Sequence, residues 1–356
     1  MEGMCVRNIL VALVLALAGI FASPAGPALA DPVADFYKGK KIRIIIRAGP
    51  GGNFDRYSRL LGRHISKYLP GNPSALPINM PGGSGLVALN HVEFVAPHDG
   101  TVLTMITPTF PIQQALRINK RLKVDMRKLN WIGTMTDANT FLLVTESSPT
   151  KSIMDAKKRQ TAIGVPSKSD TSAWLVYLLN STINTKFRLV AGYSSGPEMN
   201  LALERGELEG RGTSNPQRML RRKDIRYNLI LQVGLEKNAD FPKVPLLNDL
   251  AGNGDEKAVF GLFSKLSALA RTMCTNSGVP AERVTALRRA FDATMKDPEF
   301  LAEAKKQTLM IHSMTGEKSE EIVASIVNAP AAVINKVRDA VTSGSAAAEQ
   351  RRKKKK

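Results

Sequence analysis

The chain has 356 residues, 43% of them hydrophobic and 23% charged, a globular composition that excludes intrinsic disorder over most of its length. Its 50 Lys and Arg against 31 Asp and Glu give a net charge of +19, and its two cysteines leave no disulfide framework and no thiolate zinc site. A single apolar run too short to span a bilayer excludes a polytopic membrane protein, and at about 150 residues per domain the length predicts two domains.

That run opens the chain. Arg7 is followed by apolar residues 9–21 and by Ala28-Leu29-Ala30 before Asp31. A positive start, an apolar stretch and an A-x-A site are the three parts of a secretory signal peptide, so cleavage is expected after Ala30. Cys5 leaves with it, and Cys274 remains as a lone thiol in an oxidising compartment.

Residues 42–46 (IRIII) read as a strand buried on both faces. Gly49-Pro50-Gly51-Gly52-Asn53 follows, and a helix pattern starts near Asp55 with Tyr57, Leu60, Leu61, Ile65 and Leu69 on one face. Similar strand–loop–helix units recur. Residues 77–80 lead through PGGSG into a helix over 86–96, and a strand over 102–106 ends in Thr107-Pro108-Thr109. Residues 162–165 lead through Ser167-Lys168-Ser169-Asp170-Thr171 into a helix bearing Trp174 and Leu178, and 188–190 lead through Gly192-Tyr193-Ser194-Ser195-Gly196 into a helix over 197–204. Such alternation predicts an α/β fold with parallel sheets whose ligands lie beyond the carboxyl ends of the strands, at these loops. Free N–H groups and positive helix ends there favour an anion.

The last residues, 344–356 (GSAAAEQRRKKKK), carry no apolar side chain beyond alanine and are expected to form a disordered basic tail. Nucleic acid is not an expected partner. Aromatics are only 6%, and no RNP-like or C₂H₂ pattern accompanies the basic residues.

Catalytic and cofactor patterns are missing. Phe54 stands where a dinucleotide fingerprint needs glycine, and Leu86 stands where a nucleophile elbow needs one. There is no Walker A run and no HExxH, and His64, His91, His98 and His312 lack metal-ligand spacing. Cys274 reads as a buried thiol, and Trp131 and Trp174 as core. No enzyme activity, no metal and no organic cofactor is expected.

These pieces together resemble a known family. IRIIIRAGPGGNFDRYSRLL, INMPGGSG, APHDGTVLTMITPT, IGVPSKSDTS, GYSSGPEMNLALERGELEG and GVPAERVTALRRAFDATMKDPEF stand in the order of the substrate-binding proteins of tripartite tricarboxylate transporters, the Bug-type extracytoplasmic solute receptors. They span roughly residues 36–327. The resemblance implies a type II periplasmic-binding-protein fold, with two Rossmann-like α/β domains and a ligand cleft between them. It places crossovers near 134–138 and 232–236. Domain 1 is then 31–136 plus 236–343, and domain 2 is 137–235. It also implies a monomeric receptor in the periplasm that captures a small organic acid and hands it to membrane permease subunits.

Carried over by position, the ligand-binding residues are Gly51, Gly52, Asn53 and Asp55, then Thr107 and Thr109, and from domain 2 Ser169, Asp170, Thr171, Tyr193, Ser194 and Thr213. Arg47 departs from the family, which usually has an uncharged residue there. It is either a bidentate partner for a carboxylate or a charge beside the cleft. Thr213, after Arg211, stands where the family often has aspartate, which speaks against an amine-bearing ligand. Asp170 pulls the other way unless it caps the following helix. Two other readings stay open at this level: an orphan receptor that signals to a sensor protein, and a basic secreted protein that binds anionic membranes or polyanions.

Overall fold

The computed structural model describes residues 31–168 and 170–353, with side chains described as far as residue 343. The expected signal peptide, Ser169 and residues 354–356 lie outside the described residues. Asp31 caps α1 (Pro32–Tyr37) by accepting from the Val33 N–H.

Two sheets divide the strands. The first has the order β11-β4-β10-β3-β1-β2, from β1 (Lys41–Ile46), β2 (Ser74–Asn79), β3 (Val102–Met105), β4 (Asn130–Thr134), β10 (Thr272–Thr275) and β11 (Met314–Thr315). The second has the order β7-β6-β8-β5-β9, from β5 (Thr140–Thr145), β6 (Thr161–Val165), β7 (Phe187–Ala191), β8 (Gly210–Thr213) and β9 (Tyr227–Val233). The chain therefore crosses from one sheet to the other between Thr134 and Thr140, and leaves the second sheet after Val233. Asn139 ties the two connections together, its amide donating to the Gln232 side chain and to the Glu236 carbonyl, each at 2.8 Å. This is the two-domain α/β architecture that the loops imply.

The expected all-parallel pairing holds only in part. β1 pairs in parallel with β2 and β3, and β6 with β7 and β8, but β10 runs antiparallel to β3 and β4, and β5 antiparallel to β8 and β9. A strand that enters a sheet from the other domain does not arrive through a crossover helix on the same side, so its direction is free.

Strand burial explains the long apolar runs. Ile42, Ile44, Ile45 and Ile46 are all buried, because α2 (Asn53–His64) covers one face of β1 and α3 (Leu86–Phe94) the other. In the second sheet α6 (Thr171–Thr182) is buried along most of its length. The last helix, α13 (Ala331–Lys353), packs on α6 and on α4 (Phe110–Leu116), so Ile334, Val337 and Val341 join a core that contains both Trp131 and Trp174. α13 runs ten residues into the segment expected to be a disordered tail. Cys274 is buried in β10 as expected, and burial pushes its thiol pKa up.

Away from the loops, α2 is tied to α11 (Pro298–Lys306). Arg63 donates to Glu303 at 2.6 Å, and His64 Nε2 shares a 2.8 Å hydrogen bond with the same carboxylate. Arg63, first, and then His64 hold the Glu303 carboxyl down at about 2, against an ordinary 4.5. A depressed folded-state pKa stabilises the fold above pH 4.5, and that stabilisation is lost as pH falls towards 2. Glu303→Gln should therefore cost about 1 kcal/mol at pH 7, in line with a partly exposed ion pair. Urea unfolding should show that penalty fading towards pH 2, and one as large there as at pH 7 would contradict the assignment.

Candidate functional site

A cavity of about 490 Å³ lies between the carboxyl ends of the two sheets, lined by both. Four helices begin on its wall: α2 after Gly52, α6 after Asp170, α7 (Gly196–Glu204) after Ser195, and α8 (Pro216–Leu220) after Asn215. Asp170, Ser195 and Asn215 cap their own helices with side-chain oxygens, whereas α2 has no side-chain cap. The first-turn N–H groups of α2 thus stay available beside Asn53 and Phe54, and four positive helix ends converge on one space.

Three buried arginines share it. Arg47, Arg211 and Arg271 line the cavity, with only 6%, 8% and 5% of their surface exposed. Arg47 follows β1, donates Nε and Nη2 to the Ser84 carbonyl at 3.2 and 2.8 Å, and reaches Asp170 across the cleft at 3.5 Å. Arg271 immediately precedes β10, bonds Ser214 Oγ from the other sheet's side, and has an Nε that is buried without a partner. Both guanidiniums lie over the Phe54 ring, at 4.1 and 4.4 Å from its centroid. Arg211, in β8, donates to Asn200 at 2.9 Å, to the Gly212 carbonyl at 3.0 Å and to the weak acceptor Met219 Sδ at 3.2 Å.

Among the described residues neither Arg211 nor Arg271 forms an ion pair. Burial lowers both pKa values to about 10, and Arg271 is lowered further by the charge of Arg47. Burial also lowers Arg47, which Asp170 partly offsets. A buried cation without a counter-charge is costly. The wall carries more buried positive than negative charge.

The expected site residues divide. Arg47, Gly52, Asn53, Asp170, Thr171, Tyr193, Ser194 and Thr213 all line the cavity. Asp170 caps α6, one of its two expected roles, with one oxygen accepting from Ser172, while its other oxygen faces Arg47. Asn53 bridges the cleft to Ser214 at 3.3 Å, and Ser194 is tied to Glu198 by its N–H and hydroxyl.

Gly51, Asp55, Thr107 and Thr109 are not on the wall. The Gly51 N–H donates to the Asp55 carboxylate at 2.9 Å, and Asp55 also accepts from Arg59 and Asn79, so the pair locks the loop. Thr107 is buried and donates to the Ser84 carbonyl, and buried Thr109 accepts from Gln113. Sequence reasoning missed Phe54, Ser84 and Ser167, the last two hydrogen-bonded to each other across the cleft, and it gave Arg211 and Arg271 no role. Gly210 and Gly212 on either side of Arg211 were the one available signal.

No histidine lines this cavity. Among the described residues only His64, Asp297 and Glu299 bring ligand atoms within 4.8 Å of one another, and Lys67 already pairs with both carboxylates.

No protein-family model and no curated protein matches the sequence. Solved structures do. A Rhodopseudomonas palustris protein with adipate is 18% identical, with a TM-score of 0.67 over 85% of this chain and 97% of that one. The periplasmic binding protein BugD is 13% identical, with a TM-score of 0.66 over 87% and 99%. MatC from Rhodopseudomonas palustris with bound malate is 16% identical, with a TM-score of 0.63 over 85% and 99%.

The two loop glycines differ in what they tolerate. Gly51 has φ +77°, a left-handed conformation, while Gly52 has φ −75°, and a Cβ there would meet nothing nearer than 3.9 Å. Gly51→Ala should lose about 1–2 kcal/mol, and Gly52→Ala should stay within about 0.5 kcal/mol of the parent. Equal losses in urea unfolding would contradict this reading of the loop. In fold, the chain is similar to BugD and to the two Rhodopseudomonas palustris proteins.

Proposed function

We propose that the chain is an extracytoplasmic receptor that captures a small organic acid in the cleft between its two domains. The carrying observation is the wall itself, where buried Arg47, Arg211 and Arg271 and four helix N-termini meet with a single carboxylate, Asp170, among them. Guanidinium forks and helix N–H groups are the donors that a carboxylate matches best. Adipate and malate in two structures of this fold support an acid of that size.

The cleft-lining residues from Arg47 to Thr213 named above are proposed to hold the ligand, with Phe54 closing one side. The domains are proposed as 31–136 with 236–343, and 137–235. Among the described residues no helix is long and apolar enough to cross a membrane. Export through the N-terminal signal, with release after Ala30 into the periplasm, agrees with that. Delivery to the permease subunits of a tripartite tricarboxylate transporter, by a monomer without catalytic activity of its own, is proposed on the sequence resemblance.

A thermal-shift screen of mono-, di- and tricarboxylates, followed by calorimetry, tests the reading. An acid at 100 times its Kd should stabilise the protein by about 2.7 kcal/mol. A well-folded protein that responds to no acid, or that responds instead to an amine or a sugar, would contradict it.

A further inference from the structure

Positive charge is also concentrated outside the cleft. Residues 117–128 (RINKRLKVDMRK), which join α4 to β4, carry six cations and one acid. Arg117, Lys120, Arg121, Lys123, Arg127 and Lys128 are all exposed, and none of them lines the cavity. Among the described residues only Arg127 of these six forms an ion pair, with Asp125 at 2.9 Å. The segment is nevertheless held in one shape. From α4, Gln113 accepts from Asn119 at 2.7 Å, while Gln114 donates to Asp125 at 2.6 Å and accepts from the Met126 N–H at 2.7 Å. Asn119 and Asp125 each accept from the N–H two residues on, which sets Lys120 and Arg121 on one turn and Arg127 and Lys128 on another. The apolar side chains go inward: Val124 and Met126 are buried, and Ile118 and Leu122 pack on the core. Like charges held this close repel one another, and an anionic partner relieves that repulsion.

The composition of the segment selects among anionic partners. A protein interface is centred on apolar and aromatic anchors and is poor in lysine, whereas here no apolar side chain is exposed and three of the six cations are lysines. Single-stranded nucleic acid is held by stacking on aromatic rings, and the segment has none. A bilayer surface with anionic head groups asks for neither anchors nor rings, only for clustered Lys and Arg. We propose that residues 117–128 are a docking surface for an anionic phospholipid bilayer, with Lys120, Arg121, Lys123 and Lys128 as its unpaired centre. Because no residue of the segment lines the cavity, attachment to a membrane and capture of a solute use separate side chains. The inference therefore stands apart from the receptor reading.

The test is co-sedimentation of the mature protein with vesicles of phosphatidylcholine alone and with vesicles in which about a third of the lipid is phosphatidylglycerol. Binding to the anionic vesicles should be at least about tenfold tighter, and it should fall at least about tenfold between about 0.05 and about 0.5 M salt. The quadruple variant Lys120→Gln, Arg121→Gln, Lys123→Gln, Lys128→Gln should lose at least about tenfold in affinity for those vesicles. A control quadruple, Lys158→Gln, Lys223→Gln, Lys243→Gln, Lys306→Gln, removes the same charge from exposed sites elsewhere and should lose less than about threefold. Equal losses in the two variants trace binding to net charge and overturn the proposal. Removal of residues 351–356, the basic run after Gln350, should leave the preference for phosphatidylglycerol in place, and a preference abolished by that truncation overturns the assignment to this segment. Duplex DNA that displaces the protein from the vesicles at equal phosphate concentration overturns it in favour of a nucleic-acid surface. Failure to prefer the anionic vesicles overturns it as well, and leaves the receptor reading untouched. The lipid, salt and truncation comparisons stand even if a quadruple variant does not fold.

Discussion

Three guanidiniums taken out of water with one carboxylate among them are the constraint around which this cleft is arranged. Burial, first, and then neighbouring guanidiniums lower Arg211 and Arg271 to about 10. On the proposed function a ligand supplies the missing charge, and the surrounding parts hold the guanidiniums in place for it. Ser84, Ser214 and Asn200 hold the guanidinium planes, and Phe54 supports two of them. The helix N-termini add fixed positive potential without adding charges that must be solvated.

The scaffold explains why these groups can meet. Each sheet presents the ends of its strands to the cavity, and the helices that follow β1, β6, β7 and β8 start there. Asn139, bonded to Gln232 and Glu236, clamps the two crossing segments beside one another. α13 packs on α6 and α4 and joins the cores of the two parts. Contacts across the cleft complete the frame: Arg47 to Asp170, Ser84 to Ser167 and Asn53 to Ser214.

Much of this was legible in the sequence, for physical reasons that can be named. β1, with four buried isoleucines before a glycine loop and a helix with one apolar face, announces its unit, and the same grammar marks β6 and β7. The loops so found are indeed the ones at the cavity. Arg211 and Arg271 were not legible as a pair, because sixty residues and two domains separate them and only the crossovers bring them together. Gly51 misled for a different reason. A glycine loop leaves N–H groups free only if no side chain claims them, and Asp55, one turn into α2, claims this one. The antiparallel strands β5 and β10 lacked a signal too, since a short buried strand reads the same in either direction.

A crystal structure of the protein with the tightest-binding acid from the screen tests the central claim most directly. The account predicts carboxylate oxygens within hydrogen-bonding distance of Arg211 and Arg271, with the N-terminal amides of α2 contributing. An acid bound outside the cleft, or one inside it whose carboxylates face solvent while both guanidiniums stay uncompensated, would contradict it.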